Sequence, residues 1–292
     1  MDIELARTFL VVVDTRNFVR AAEELHVTQS TVSARIRSLE DQLGRPLFVR
    51  NKAGVSLTSS GELFKRHAAT LVHVWHHAKS EVNIPEGFSD VVSLGARFGL
   101  WDPFLLRWLT WMKREHPLIA IQAELGMSDT ILKRLADGTL DLGVIYSASS
   151  MPGMKAEPLF LESLILVSTD KSDQSVLPEN YVHVDWGADF RRKFRLSFPY
   201  QLGHHLRINL GMLGLNYIKE NGGAGYFPER MVRTEIESGK LNRILDAPIL
   251  TFPVFLISPS ENSDAAIVSA LEGLRRIARL AIKEGQISSA NF

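Results

Sequence analysis

The side chains best placed for chemistry fall in one short run, Gln29-Ser-Thr-Val-Ser-Ala-Arg-Ile-Arg37. Wound at about 100° per residue, this run turns Ser30, Ser33, Ala34 and Arg37 outward. Gln29, Thr31 and Arg35 lie on the flanks, and Val32 and Ile36 point the other way. Such a face makes hydrogen bonds, not covalent ones. Gln pairs bidentately with adenine, Arg with guanine, and Ser or Thr with base or phosphate. The remaining candidates are scattered. Asp141, Asp185 and His205 are the groups an enzyme on this chain would use, and no local pattern convenes them. His73 and His77 share a helix face at i,i+4, a zinc-ligand spacing, but no third ligand is near them in sequence. A solvated or hydrogen-bonded pair is expected there. Gly222-Gly-Ala-Gly225 lacks the strand before it and the Lys-Ser or Lys-Thr after it that a phosphate loop needs, so a helix C-cap and turn is expected. The chain has no cysteine, which excludes disulfides, cysteine nucleophiles and thiolate metal sites. No catalytic residue, metal or cofactor is expected.

The polar run needs a scaffold, and the flanking residues supply one. Phe18, Ala21, Ala22 and Leu25 pattern a short helix that Asn17 can cap. Val32, Ile36, Leu39 and Leu43 pattern a second helix, which Thr28 can cap at its start and Gly44 can close before Arg45-Pro46. Two short helices joined by a tight turn make a helix-turn-helix. Residues 47–50 and 55–57 read as two strands around Asn51-Lys-Ala-Gly54, a wing whose Arg50 and Lys52 can reach phosphate or the minor groove. Ahead of all this, residues 2–13 form a helix with Ile3, Ala6, Phe9 and Leu10 on its apolar face.

These residues resemble the winged helix-turn-helix of LysR-type transcriptional regulators. The match rests on Phe9, Ala21-Ala22, Leu25, Thr28-Gln29-Ser30, Val32-Ser33, Ile36, Leu39-Glu40, Leu43-Gly44, Pro46-Leu47-Phe48, Arg50, Leu57-Thr58 and Gly61. Within the family the resemblance is nearest to regulators of the flagellar-master-operon repressor type. The position after Ser33 often carries a long polar or basic side chain in the family and is Ala34 here, so Arg35 is expected to share in base readout.

Ser59 and Glu62 offer a capping box to a long helix. Its apolar positions Phe64, Ala68, Leu71, Trp75, Ala78 and Val82 alternate four and three, a heptad seam expected to dimerise the chain as a coiled coil. After a hinge with Pro85 and Gly87, strands and helices alternate: strands at 91–96, 118–125, 138–145, 159–160, 164–167, 181–185 and 250–258, and helices at 103–115, 128–137, 206–220 and 265–283. The pattern is α/β and mostly parallel. The order resembles the LysR effector domain, a two-lobed fold like that of periplasmic solute-binding proteins. That resemblance divides the chain into a DNA-binding domain (1–58), a linker helix (59–84), a hinge (85–90) and an effector domain (91–292). Lobe one is expected over 91–163 and 260–292, and lobe two over 164–259.

Ligands of such folds lie between the lobes, near strand ends and helix starts. The resemblance places effector contacts at Arg97, Phe98, Gly99, Trp101, Ser128, Ile145, Tyr146, Gly203, His204 and His205. Many family members have small hydroxyl residues after the first strand. Here Arg97 stands with Phe98 and Trp101, which suits a small organic anion with an apolar or aromatic body.

Length and charge agree with a regulator of this kind. The chain has 292 residues, of which 45% are hydrophobic and 23% charged, enough for two or more soluble domains. Net charge is zero, but residues 1–79 carry 11 Lys and Arg against 8 Asp and Glu, and the rest 22 against 25. A slightly basic head thus sits on a slightly acidic body. There is no signal-peptide pattern and no apolar run long enough for a bilayer, so a cytoplasmic protein is expected. Expected partners are double-stranded operator DNA, further copies of the chain as dimer and tetramer, a small-molecule effector and RNA polymerase, with no membrane. The competing expectations are a ligand-blind architectural DNA-binding protein and an enzyme built on the two-lobed body.

Overall fold

The computed structural model describes residues 2–51, 54–146, 151, 153–170, 177–200, 206–260, 264–285 and 287–289. Helices α1 (Ile3–Thr15), α2 (Phe18–Glu24) and α3 (Gln29–Leu43) precede an antiparallel pair, β1 (Phe48–Asn51) and β2 (Gly54–Leu57). Local chemistry sets the helix ends. Asn17 Oδ1 accepts the N–H groups of Val19 and Arg20 at 2.8 and 3.2 Å. Thr28 Oγ1 accepts the Thr31 N–H at 3.2 Å, and Gly44 closes α3 at φ 67°. Phe9, Ala21, Val32, Ile36, Leu39 and Leu47 form a common core, while Leu43, expected inside, is exposed at the last turn of α3.

Helix α4 (Ser59–Val82) leaves this head. Its cap is Thr58 instead of the expected Ser59: Thr58 Oγ1 accepts the Gly61 N–H at 3.0 Å. The expected heptad seam divides along its length, and Val72, outside the seam, joins its buried part. Ala68 and Val72 are buried in the head core and the Phe64 ring packs 5.2 Å from that of Phe9, whereas Leu71, Trp75 and Val82 are exposed. The expectation that Phe64 dimerises is thus corrected. It is drawn inward because the first turns of α4 lie on α1.

The body begins with β3 (Asp90–Ala96), α5 (Phe98–Leu100), a kink (Trp101–Leu105) where Asp102 is extended, α6 (Leu106–Glu115), β4 (Ile119–Leu125), α7 (Ser128–Ala136) and β5 (Leu142–Ile145). The long strand β6 (Met154–Ser168) follows, then β7 (Val182–Val184), α8 (Ala188–Ser197), β8 (Leu206–Ile208), α9 (Gly211–Asn221) and β9 (Ala224–Pro228). Helix α10 (Glu229–Glu237), β10 (Asn242–Arg243), β11 (Leu250–Pro259) and α11 (Ala265–Lys283) complete it. The predicted helix at 206–220 is a strand and a shorter helix, and α8 and α10 were not predicted.

The sheet is mixed, which corrects the mostly parallel expectation. Its order is β10-β6-β11-β5-β3-β4, with β9 also on β6. Only β3 with β4 and β5 pairs in parallel; β11 runs antiparallel to β5 and β6, and β6 antiparallel to β9 and β10. The two strands predicted at 159–160 and 164–167 are one continuous strand, because β11 pairs with it from Met154 to Leu164. Adjacent antiparallel strands need no helical crossover between them. These two strands join the halves of a two-lobed α/β body. No helix among the described residues is long and apolar enough to cross a membrane.

Candidate nucleic-acid interface and inter-lobe cleft

Burial of Val32, Ile36 and Leu39 against α1 and α2 fixes which side of α3 faces out. Gln29, Ser30, Ala34 and Arg37 are exposed, and Thr31 and Ser33 are half-buried at the edges. Ser30 and Thr31 both hydrogen-bond Thr28 Oγ1 at 2.8 Å, so the first turn of α3 presents an ordered set of hydroxyls. Arg35 departs from its expected role. Its Nη1 donates to Glu4 Oε2 at 3.3 Å and Thr8 Oγ1 at 3.2 Å, which ties α3 to α1. A guanidinium engaged there is part of the scaffold of the face and does not extend it. Glu40, carried in the sequence pattern without a role, accepts the Leu47 and Phe48 N–H groups at 2.7 and 3.2 Å and so sets the start of the wing. Lys52 and the Arg50 side chain lie outside the described residues.

In the body, β3 delivers Arg97 to the start of α5 between the lobes. Its side chain is buried, at 7% exposure, with Nη1 3.3 Å from Met127 Sδ. Burial holds the guanidinium below its ordinary pKa, against the pull of Tyr146 and Asp185. Phe98 is half-buried, and Trp101 is core, donating to the Ala96 carbonyl at 3.4 Å. Ser128 is the first residue of α7 and makes no cap; Met127 occupies that position. Ile145 is buried at the end of β5. The Tyr146 hydroxyl meets Glu162 Oε2 at 3.4 Å, and burial raises its pKa. Gly203, His204 and His205 lie outside the described residues.

The buried contact between α10, β6 and the turn after β3 is built by residues that sequence reasoning did not select. Arg230 on α10 and Glu162 on β6 form an ion pair at 2.6 Å with side-chain exposures of 2% and 1%. Burial works against the Arg230 cation, but Glu162 outweighs it and raises its pKa. Arg230 also donates to the carbonyls of Gly99 and of Asp102, the latter at 2.5 Å. It thereby ties the turn after β3 to the helix beyond β9. Trp186, just past β7, fills the space alongside. Its indole N–H donates to the Tyr226 carbonyl at 2.8 Å, and its ring lies so near two glycines that a Cβ on Gly99 or Gly211 would come within 2.6 or 2.2 Å of it. At the edge, Asp185 accepts from Arg191 at 2.8 Å and Arg207 at 2.5 Å. Burial alone would raise its pKa, but hydrogen bonds from Arg207, the Gly187 N–H and Arg191 lower it. One signal pointed here: Glu162 is flanked by the apolar runs 158–161 and 164–167, and a buried carboxylate requires a partner. Nothing in the local pattern identified Arg230 or Trp186.

The acids considered for catalysis do not converge. Asp141 is bound by the Ser93 N–H at 2.8 Å and hydroxyl at 2.6 Å on the side facing α4, while Asp185 belongs to the arginine cluster. Gly222 ends α9 at φ 77°, as expected of a C-cap.

Residues 3–62 match the family model described as a bacterial regulatory helix-turn-helix protein of the lysR family, and residues 85–277 match the LysR substrate binding domain. The HTH-type transcriptional regulator HdfR of Yersinia enterocolitica is 32% identical over 275 residues, spanning 90% of this chain and 92% of that protein. Among solved structures, full-length LysG of Corynebacterium glutamicum with bound effector Arg superposes at a TM-score of 0.61, with 17% identity over 96% of this chain and 99% of that one. Vibrio fischeri DarR in complex with DNA gives 0.53, with 19% identity over 94% and 98%.

Proposed function

The chain belongs to the LysR family of bacterial DNA-binding transcriptional regulators, and from that premise we propose that it reads operator DNA through Gln29, Ser30, Thr31, Ser33 and Arg37. Arg50 and Lys52 hold the phosphate backbone, and Arg35 stiffens the reading face from behind. The observation that carries this reading is the ordered polar face at the start of α3, capped by Thr28 and free of apolar side chains larger than Ala34. The solved DarR complex contains DNA, which supports the same use of the head here. The functional units are residues 1–58, 59–84, 85–90 and 91–292, with the lobes meeting near residue 164 on β6 and near 259 on β11. Dimers paired through Leu71, Trp75 and Val82, associating further as tetramers, place two heads on two half-sites and act on RNA polymerase at the promoter. Gln29→Ala is expected to lose about 1–3 kcal/mol at one base position and relax specificity there. Lys52→Ala is expected to weaken all sequences alike and reduce the salt slope by about one. Competition binding at several salt concentrations checks both, and equal losses on operator and random DNA for Gln29→Ala would remove it from the reading set.

The effector we infer is a small organic anion with an apolar or aromatic body, held by Arg97 between the lobes. LysG was solved with an effector, Arg, which supports the use of this fold for small molecules. Trp186 is buried against Gly99 and Gly211, so a ligand bound beside Arg97 is expected to displace the indole and change its fluorescence. Calorimetry with a panel of aromatic carboxylates is expected to find a ligand whose affinity falls about tenfold or more in Arg97→Ala, since hydrogen bonds to a charged group contribute about 1.5–3 kcal/mol. Equal affinity in both proteins would remove Arg97 as the anchor. The same Trp186 contact favours a second reading, a regulator that takes no ligand because its own indole occupies the site. Binding to Trp186→Ala but not to the parent across the panel would establish that reading instead.

A further inference from the structure

The linker helix meets the body at a cluster of ligand-type side chains drawn from distant parts of the chain. His77 on α4, Asp90 at the start of β3 and Asp264 at the start of α11 each present one donor atom, and the three atoms lie within 4.8 Å of one another. Both carboxylates are oriented through their second oxygen. Asp264 Oδ1 caps α11 by accepting the Ala266 and Ile267 N–H groups at 2.7 and 3.1 Å, which leaves Oδ2 2.5 Å from His77 Nε2. Asp90 Oδ1 accepts the Val91 N–H at 2.7 Å. Asp141 stands on the other side of the imidazole, with Oδ1 3.7 Å from His77 Nδ1 and Oδ2 held by Ser93. A carboxylate behind a histidine whose other nitrogen faces acidic oxygens is the usual outer-shell arrangement of a metal-bound imidazole.

Charge points the same way. Three carboxylates surround one imidazole, and His77, Asp141 and Asp264 have side-chain exposures of only 15%, 8% and 17%. Even a protonated His77 leaves an excess of negative charge. A cavity of about 700 Å³ beside α4, lined in part by His73, His77, Asp264 and Ile267, provides a route in from solvent. One imidazole nitrogen with carboxylate oxygens suits a borderline-to-hard divalent ion such as Mn²⁺ or Zn²⁺.

We propose that His77, Asp90 and Asp264 bind a divalent transition-metal ion, with Asp141 as the positioning residue for His77. The ion clamps the linker helix, which carries the DNA-binding head, onto the first lobe. Titration of the chelator-treated full-length protein with MnCl₂, followed by electron paramagnetic resonance, is expected to show one bound ion per chain with nitrogen coupling from a single imidazole. Asp90→Asn, which keeps an amide oxygen to accept the Val91 N–H, should bind Mn²⁺ at least tenfold more weakly and lose the Mn²⁺-induced rise in thermal midpoint. His77→Gln should lose the nitrogen coupling. The proposal is overturned if Mn²⁺ and Zn²⁺ both fail to bind the parent, if bound Mn²⁺ shows no nitrogen coupling, or if Asp90→Asn binds as tightly as the parent. The measurements on the parent and Asp90→Asn decide the matter even where His77→Gln does not fold.

Discussion

Leu71→Glu is expected to reduce operator affinity by about 10²–10⁴ while leaving each head folded. The size follows from linkage: two heads joined in one dimer make the second binding event intramolecular, and avidity of that order disappears with the dimer. The position is chosen from the structure. Leu71, Trp75 and Val82 are 41%, 46% and 86% exposed, an apolar strip that continues, beyond the head, the face on which Ala68 is buried. A glutamate at position 71 can turn its carboxylate to solvent in one chain, but a paired seam would have to desolvate its charge at a cost of several kcal/mol. Sedimentation velocity reads the dimer, and gel-shift titration on a palindromic operator reads the affinity. A variant that sediments and binds like the parent would show that the dimer forms elsewhere.

Arg230→Ala is expected to be the most destabilising single substitution in the body, by roughly 3–5 kcal/mol, because it leaves the Glu162 carboxylate buried without its cation. Both side chains are essentially inaccessible, and the guanidinium also satisfies the Gly99 and Asp102 carbonyls, so its loss orphans backbone acceptors as well as the carboxylate. Removing both charges together, as Glu162→Leu with Arg230→Met, is expected to recover most of the loss, since a well-packed apolar pair often replaces a buried ion pair without penalty. Urea denaturation followed by tryptophan fluorescence measures both proteins. A loss below about 1 kcal/mol in Arg230→Ala would mean that water or a neighbouring group takes over the carboxylate, and that the pair does not hold the lobes together.

What the amino-acid sequence alone determined is mostly local. Helix starts at Asn17 and Thr28, the helix end at Gly44 and the inward face of α3 depend on groups a few residues apart, so spacing and residue type are sufficient. The head was legible for that reason, down to the orientation of Gln29, Ser30 and Arg37. The contacts of Arg35 were not legible, because its partners Glu4 and Thr8 sit on another helix. The body shows the limit more fully. An apolar run reads as strand whether its neighbour is parallel or antiparallel, and only the return of β11 along β6 made the sheet mixed. The pairings that define the cleft and the linker junction are longer in range still. Glu162 meets Arg230 across 68 residues of chain, and His77 on the linker helix meets Asp264 at the start of the last helix of the body. Trp186 finds Gly99 and Gly211 only because the two lobes close around it. A charge or an indole must be buried somewhere and its hydrogen bonds satisfied, which sequence states as a requirement. Which distant residue meets that requirement is decided by topology, because contacts of this range have no period along the chain.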